Sequence, residues 1–255
     1  MQDSPCEMHA NPRILAANGG HPMSDWAIQR RSPRYPILLP FSHQPTSHRG
    51  AGTRVGWTRD LSEGGACLEL DERLPVHTPL HIRLQTDRGA IELDAEVVWE
   101  VEEQGSGRAE GGVLHGVAFT HLAPDQLLVL RDLLLPKGHS RPAEVRVPAD
   151  LPVTCQLRAS AGVVLDGRTG DFSRGGLLLR LSQALPPGTP LDLTLHRPNG
   201  RVAAEGEIVW VDPPEKRAPG QPIRHGVRFT ALGWSRELSL ALLLAEPTEE
   251  PSPAH

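Results

Sequence analysis

Through much of the chain polar and apolar residues alternate. Ile91, Leu93, Ala95, Val97, Trp99 and Val101 share one phase, Glu92, Asp94, Glu96, Glu100 and Glu102 the other, and Val98 alone breaks the rhythm. A period of two is the mark of a half-buried antiparallel strand. Leu80, Ile82 and Leu84 alternate the same way, as do Leu191, Leu193 and Leu195. Asp87-Arg-Gly and Pro198-Asn-Gly supply turn chemistry between such runs. Two Leu-rich segments, residues 125–135 and 235–245, break this period, and Leu127, Leu130 and Leu134 in the first take helical spacing.

The pattern occurs twice. Asp60-Leu-Ser-Glu-Gly-Gly and Asp171-Phe-Ser-Arg-Gly-Gly lie 111 residues apart. The same offset separates Leu74-Pro-Val-His-Thr-Pro-Leu80 from Leu185-Pro-Pro-Gly-Thr-Pro-Leu191, and Glu96-Val-Val-Trp99 from Glu207-Ile-Val-Trp210. His115-Gly-Val-Ala-Phe119 recurs as His225-Gly-Val-Arg-Phe229 at an offset of 110. Four landmarks in one order at a near-constant offset define a tandem duplication. Each copy, with five or six short strands and a closing helix in about 110 residues, is expected to form a small antiparallel β-barrel. The expected organisation is a disordered segment over 1–26, a barrel over 27–136, a linker over 137–142, a second barrel over 143–246 and a loose tail over 247–255. Met23-Ser-Asp-Trp would be a sensible start just ahead of the first barrel, so residues 1–22 are expected to be a start-site extension.

Composition narrows the picture. Gly and Pro at 25 residues each exclude a helical bundle, and aromatics at 4% mean that the cores are aliphatic. A net charge of -5 is the wrong sign for a general binder of nucleic-acid polymers. The best apolar run, residues 238–245, is far short of the ~20 that a membrane span needs. Acidic Asp3 and Glu7 do not suit a secretory leader. Cys6, Cys67 and Cys155 form neither a disulfide framework nor a metal knuckle, and the last two fall in apolar stretches that suit inert buried thiols. A cytoplasmic protein without membrane insertion is expected.

Two groups of residues in the first copy could carry chemistry. Arg30, Arg31 and Arg34 lie in a stretch kept extended by Pro33 and Pro36. Asp60-x-Ser62-x-x-Gly65 lies between a strand over 54–59 and another over 66–70. A guanidinium forks onto phosphate oxygens or a guanine O6/N7 edge. Asp60 can accept from a guanine amino and imino edge, Ser62 offers a hydroxyl, and Gly64-Gly65 allow close approach to the backbone. Taken alone, the arginines would be a solvated charge run and Asp60-x-Ser62 an Asx-type turn.

Arg30-x-x-x-Arg34 followed by Asp60-x-Ser62-x-x-Gly65, with Val-Val-Trp99 and Gly116-Val-Ala-Phe119 downstream, resembles the signature of the PilZ domain. The resemblance implies a six-stranded β-barrel and a non-enzymatic receptor for cyclic di-GMP, with no cofactor. In that reading Arg30, Arg31 and Arg34 hold phosphates and guanine, and Asp60, Ser62, Gly64 and Gly65 read the other face. The second copy keeps Asp171, Ser173, Gly176 and Arg146 but has Pro142 where the first has Arg30; Arg141 lies one residue further out. Arg174, where the first copy has Glu63, could supply the missing charge. Arg141, Arg146, Asp171, Ser173, Arg174 and Gly176 therefore mark a possible second site on a degenerate barrel.

Further expectations attach to single residues. Trp99 and Trp210 fall on the apolar phase and are read as core, and His115 and His225 as structural. No HxH or HExxH spacing exists to hold a metal. A hydrolase built on Asp60, Ser62 and a histidine lacks a nucleophile elbow. The competing class is a scaffold of vestigial barrels that binds no nucleotide. Residues 24–34 are expected to be a mobile arm that folds over the rim when nucleotide binds, creating a surface for an unidentified protein partner. Motility, pilus and exopolysaccharide regulation all suit such a receptor.

Overall fold

A computed structural model describes residues 32–46, 53–102, 112–135, 145–158, 162–197, 200–216 and 220–245. The expected segments 1–26, 137–142 and 247–255 lie outside these residues, as does the arm up to Arg31.

The first copy contains β1 (Pro40–Pro45), β2 (Arg54–Ser62), β3 (Gly65–Leu70), β4 (Pro79–Thr86), β5 (Gly89–Glu102), β6 (Val113–His121) and helix α1 (Pro124–Leu134). Its strands close into an antiparallel barrel in the order β1-β2-β3-β6-β5-β4. The second copy contains β7 (Val147–Pro148), β8 (Pro152–Leu157), β9 (Val164–Ser173), β10 (Gly176–Leu181), β11 (Pro190–Arg197), β12 (Gly200–Val211), β13 (Ile223–Ala231) and helix α2 (Trp234–Ala245). Here β10-β13-β12-β11-β8-β9 closes through a β9–β10 pairing, and β7 adds to β9. The first copy matches β7 with a single bridge between Tyr35 and Leu61.

Each barrel buries one phase of its strands in an aliphatic core. In the first, Leu68, Leu80, Ile82, Leu84, Leu93 and Val97 are at most 1% exposed, and full burial of such a side chain contributes about 1.5–3 kcal/mol. Buried polar groups on this scaffold find partners. The Thr58 hydroxyl donates to the Ile37 carbonyl (2.6 Å) and accepts from the Leu39 amide (2.8 Å). Thr169 does the same between Ala149 and Leu151. His115 donates from Nδ1 to the Val113 carbonyl at 3.1 Å and accepts the Leu74 amide on Nε2 at 2.9 Å. His225 repeats this between Ile223 and Leu185. Burial holds the His115 imidazole below its ordinary value, which favours the neutral tautomer that these two bonds require. Both histidines are structural, as expected.

Both tryptophans singled out above leave the core. Register shifts fall between Val97 and Trp99 on β5, and between Ile208 and Trp210 on β12. One extra residue in a strand turns the following side chains to the other face. Val98, the break in the alternation, marks that bulge. Trp99 is therefore only partly buried and Trp210 is 45% exposed. Each indole lies across a glycine on the neighbouring strand: a Cβ on Gly116 would stand 1.9 Å from Trp99 Nε1, and one on Gly226 2.0 Å from Trp210 Nε1.

The two barrels share a junction. Helix α2 packs on its own β12 and also across β1, β2 and β4 of the first barrel. Trp57 of β2, fully buried, belongs to the hydrophobic cluster of the second copy and donates from Nε1 to the Glu237 carbonyl at 2.9 Å. Arg83 donates to the Ala245 carbonyl at 2.8 Å, and Trp234 Nε1 to Asp71 at 3.1 Å. At the centre lies Arg174, its side chain only 7% exposed. Its Nη1 donates to Glu69 Oε2 at 2.7 Å and its Nε to Glu237 Oε2 at 3.1 Å, with Nη2 on the same Glu237 oxygen. The guanidinium sits 5.8 Å from the Trp57 ring and 5.9 Å from the Trp234 ring, within cation–π range of both. Burial alone would pull this guanidinium down, but the two carboxylates raise it, so it stays charged.

Candidate functional site

In the first copy the motif residues gather at one rim, where β2 turns into β3. Arg34 donates from Nη1 to Asp60 Oδ1 at 2.8 Å, and the same oxygen accepts the Cys67 amide at 3.2 Å. Both side chains are about one-third exposed, so solvent screens the pair and it is easily exchanged. Asp60 and Ser62 end β2 itself rather than standing in a loop beyond it. Ser62, 5% exposed, donates its hydroxyl to the Gly65 carbonyl at 3.0 Å and so closes the tight turn. The Gly64 carbonyl accepts the Phe119 amide at 3.0 Å, which ties that turn to β6.

The two glycines have different reasons. A Cβ on Gly65 would come within 2.2 Å of the Val117 carbonyl oxygen, so strand pairing excludes any larger residue there. A Cβ on Gly64 would meet nothing within 4 Å, and this is the position where an incoming group has room. On the outer face beside Asp60 stand Cys67 and the Trp99–Gly116 pair. Burial, reinforced by the Asp60 charge, pushes the Cys67 thiol up to about 11. Burial likewise pushes Cys155 up to about 12. Both are inert buried thiols, as their apolar setting in the sequence implied. Arg30 and Arg31 lie outside the described residues.

The second copy repeats the geometry with altered chemistry. Arg146 donates from Nε to Asp171 Oδ1 at 2.5 Å. Ser173 points at the Gly176 carbonyl at 3.5 Å, and a Cβ on Gly176 would stand 2.1 Å from the Val227 oxygen. A cleft of about 360 Å³ opens here, lined by Arg146, Asp171, Leu178, Trp210 and Arg224 among others. Arg224, where the first copy has Leu114, grips Asp212 with both arms of its fork at 2.8 and 3.2 Å. That hydrogen-bonded pairing holds the Asp212 carboxyl below its usual value. Arg174 corrects an expectation: it does not face this cleft but is buried at the barrel junction between two carboxylates. Its counterpart Glu63 stays at the surface, 3.1 Å from Arg131. Arg141 lies outside the described residues.

Trp57, Glu69, Trp234 and Glu237 did not stand out in the sequence. One signal was available: Trp57 occupies the position of Arg168 in the other copy, and Glu69 that of Arg180. Opposite character at matched positions of a repeat marks faces that meet different neighbours. Among the described residues no cluster of three or more His, Cys, Asp or Glu could hold a metal ion, and no helix is long and apolar enough to cross a membrane.

Two antiparallel six-stranded barrels, each carrying an Arg–Asp pair at the rim of an Asp-x-Ser-x-x-Gly turn, define a tandem-barrel protein. The chain belongs to the PilZ domain family, which it matches twice, over residues 28–135 and 140–241. No curated protein shows significant similarity to it. Among solved structures it is similar to the PilZ domain of CeSA from a cellulose-synthesizing bacterium, at 24% identity over 41% of this chain and 100% of that one, with a TM-score of 0.31. It is also similar to the PlzA protein of Borreliella burgdorferi in complex with c-di-GMP, at 15% identity over 84% of this chain and 93% of that one, with a TM-score of 0.34. The PilZ domain of YcgR from Escherichia coli with c-di-GMP matches at 18% identity over 40% of this chain and 86% of that one, with a TM-score of 0.35.

Proposed function

We propose that this protein is a cytoplasmic receptor for cyclic di-GMP that binds the nucleotide unchanged at the rim of the first barrel and signals through a protein partner. The observation that carries the reading is the Arg34–Asp60 pair beside the open backbone at Gly64. A forked cation and a hydrogen-bond acceptor stand side by side there, next to the turn that joins β2 to β3. A nucleotide phosphate draws Arg34 off Asp60, which frees the carboxylate to accept from the guanine N1 and N2 hydrogens. Parting an exposed ion pair costs about 0–1 kcal/mol, whereas a charge-assisted hydrogen bond to the ligand contributes about 1.5–3 kcal/mol.

Calorimetric titration of the full chain with cyclic di-GMP tests this. Arg34→Ala is expected to weaken binding roughly ten- to two-hundred-fold with the fold intact. Asp60→Ala is expected to weaken it and to relax discrimination against cyclic di-AMP. Absence of binding to the wild-type chain refutes the receptor reading and leaves the scaffold alternative. Unchanged affinity in Arg34→Ala refutes this site. A stoichiometry of two nucleotides at independent sites would assign the Arg146–Asp171 cleft as a second site, and Arg146→Ala is then the variant that removes it.

A further inference from the structure

The barrel junction is a helix-on-barrel contact that the duplication supplies in full only once. Helix α2 lays Trp234, Glu237, Leu238, Ala241 and Ala245 against the first barrel, where Glu237, Ala241 and Ala245 are at most 4% exposed and Trp234 5%. The matching stripe of α1 is Pro124, Leu127, Leu128, Arg131 and Leu135. Leu128 is 67% exposed and Leu135 64%, and nothing among the described residues covers them. The face of the second barrel that matches the surface under α2 carries exposed Arg168 and half-buried Arg180 and Thr194. Among the described residues one molecule thus presents a helix stripe and a barrel face that have no counterpart to the internal junction.

The two free faces carry groups that complement each other in the manner of the internal junction. Inside the chain, loop residue Arg174 pairs with Glu69 of β3 at 2.7 Å. At the matched free positions the signs are exchanged: the loop residue is Glu63 and the strand residue is Arg180. Inside the chain, Trp57 donates to the Glu237 carbonyl and Arg83 to the Ala245 carbonyl. At the matched positions Arg168 and Thr194 are both donors, and the carbonyls of Leu127 and Leu135 are the acceptors they would meet. The geometry points to a second copy of this chain as the occupant: α1 of one molecule docks on β8, β9 and β11 of the next, repeating the internal junction between molecules.

Such an interface is heterologous, so repetition gives a closed ring or a growing row rather than a twofold dimer. Arg168 and Arg180 now share Asp150, at 2.8 and 3.8 Å, and Glu63 holds Arg131. All of these pairs are exposed, and exposed pairs exchange partners at little cost. The interface, one short helix and a loop, is small and belongs to the weak, reversible class.

Sedimentation of the full chain tests the proposal. The mean mass is expected to climb with concentration between about 10 μM and 1 mM, and to fall back when salt is added. Leu128→Asp, which spoils the helix, and Arg180→Glu, which spoils the barrel face, are each expected to weaken association at least about tenfold. Leu128 is exposed and Arg180 half-buried, and circular dichroism checks that each variant keeps its fold. The decisive sample is an equimolar mixture of the two: one intact helix and one intact face remain, so it is expected to form a one-to-one complex and nothing larger. A wild-type chain that stays monomeric at 1 mM overturns the proposal; with α1 slow to exchange hydrogen, the stripe is covered by another part of the same chain. Undiminished association of Arg180→Glu alone also overturns it, in favour of a symmetric α1–α1 contact.

Discussion

Replacing Arg174 by methionine removes the one cation buried between Glu69 and Glu237, whose side chains are 2% and 5% exposed. Breaking a buried ion pair from one side costs about 3–5 kcal/mol, because the remaining charge is desolvated without a counter-charge. Arg59, 3.6 Å from Glu69, softens the loss on that carboxylate. Two indole contacts at 5.8 and 5.9 Å go with the guanidinium and keep the expected loss at the upper part of that range. For a folded unit of this size each kcal/mol moves the melting temperature by about 2–4 °C, so Arg174→Met is expected to melt roughly 8–20 °C lower. Arg174→Lys is expected to recover little, since an ammonium cannot fork between two carboxylates while stacked on two rings. The combined variant Glu69→Leu, Arg174→Met, Glu237→Leu is expected to return to within about 2 kcal/mol of wild type, because it leaves no charge stranded. Calorimetric melting of the three variants against wild type provides the measurement. A shift under 3 °C for Arg174→Met, or a combined variant no better than the single one, would mean that the apolar contacts of Trp57 and α2 hold the junction and the ions contribute nothing net.

Three further outcomes are expected. Burial, with Arg54 and His115 adding to it, lowers the His43 imidazole from 6.5 to about 4; the unfolded chain therefore takes up the proton first, and the contribution of about 3 kcal/mol is complete above pH 6.5 and lost as pH falls towards 4. His43→Leu should flatten the pH dependence of the melting temperature across that window, and an unchanged slope would place the titration elsewhere. Cys67 and Cys155, raised to about 11 and 12, should react with a thiol reagent at pH 8 only as fast as the protein unfolds; quick labelling of either in the native state contradicts their burial. Gly116→Ala would put a methyl 1.9 Å from Trp99 Nε1, so the indole must swing off the barrel and its fluorescence should shift to the red, whereas an unshifted spectrum would show that the strand yields instead.

The period of two and the constant offset between copies made the barrels and their number legible, since both signals rest on side-chain alternation that a closed sheet enforces at every residue. Arg34 and Asp60 were legible as site residues because their motif recurs as Arg146 and Asp171, but their pairing with each other was not: the prolines around Arg34 suggest a mobile arm without a partner, and the structure ties it to Asp60. The fate of Trp99 was not legible either. Alternation put it inside, and the exception at Val98 was visible, but the sense in which a bulge turns the following residues is a property of the paired strands. Arg174 was misplaced because its position in the second motif offered it as the charge missing at Pro142. What sets its direction is the neighbour it meets, Glu69, 105 residues away, and a repeat carries no record of which of its faces meet.

Duplicated domains are ordinarily exchangeable modules, able to be cut apart, recombined with other partners or lost one at a time. The burial of Trp57 in the cluster of the other copy, with α2 lying on both barrels, withdraws that freedom. A break between the copies would strip the cover from the first barrel and strand an indole-lined helix on the second. The pair, rather than the domain, has become the heritable and foldable unit, and either copy is free to let its own motif drift as long as the shared helix is kept.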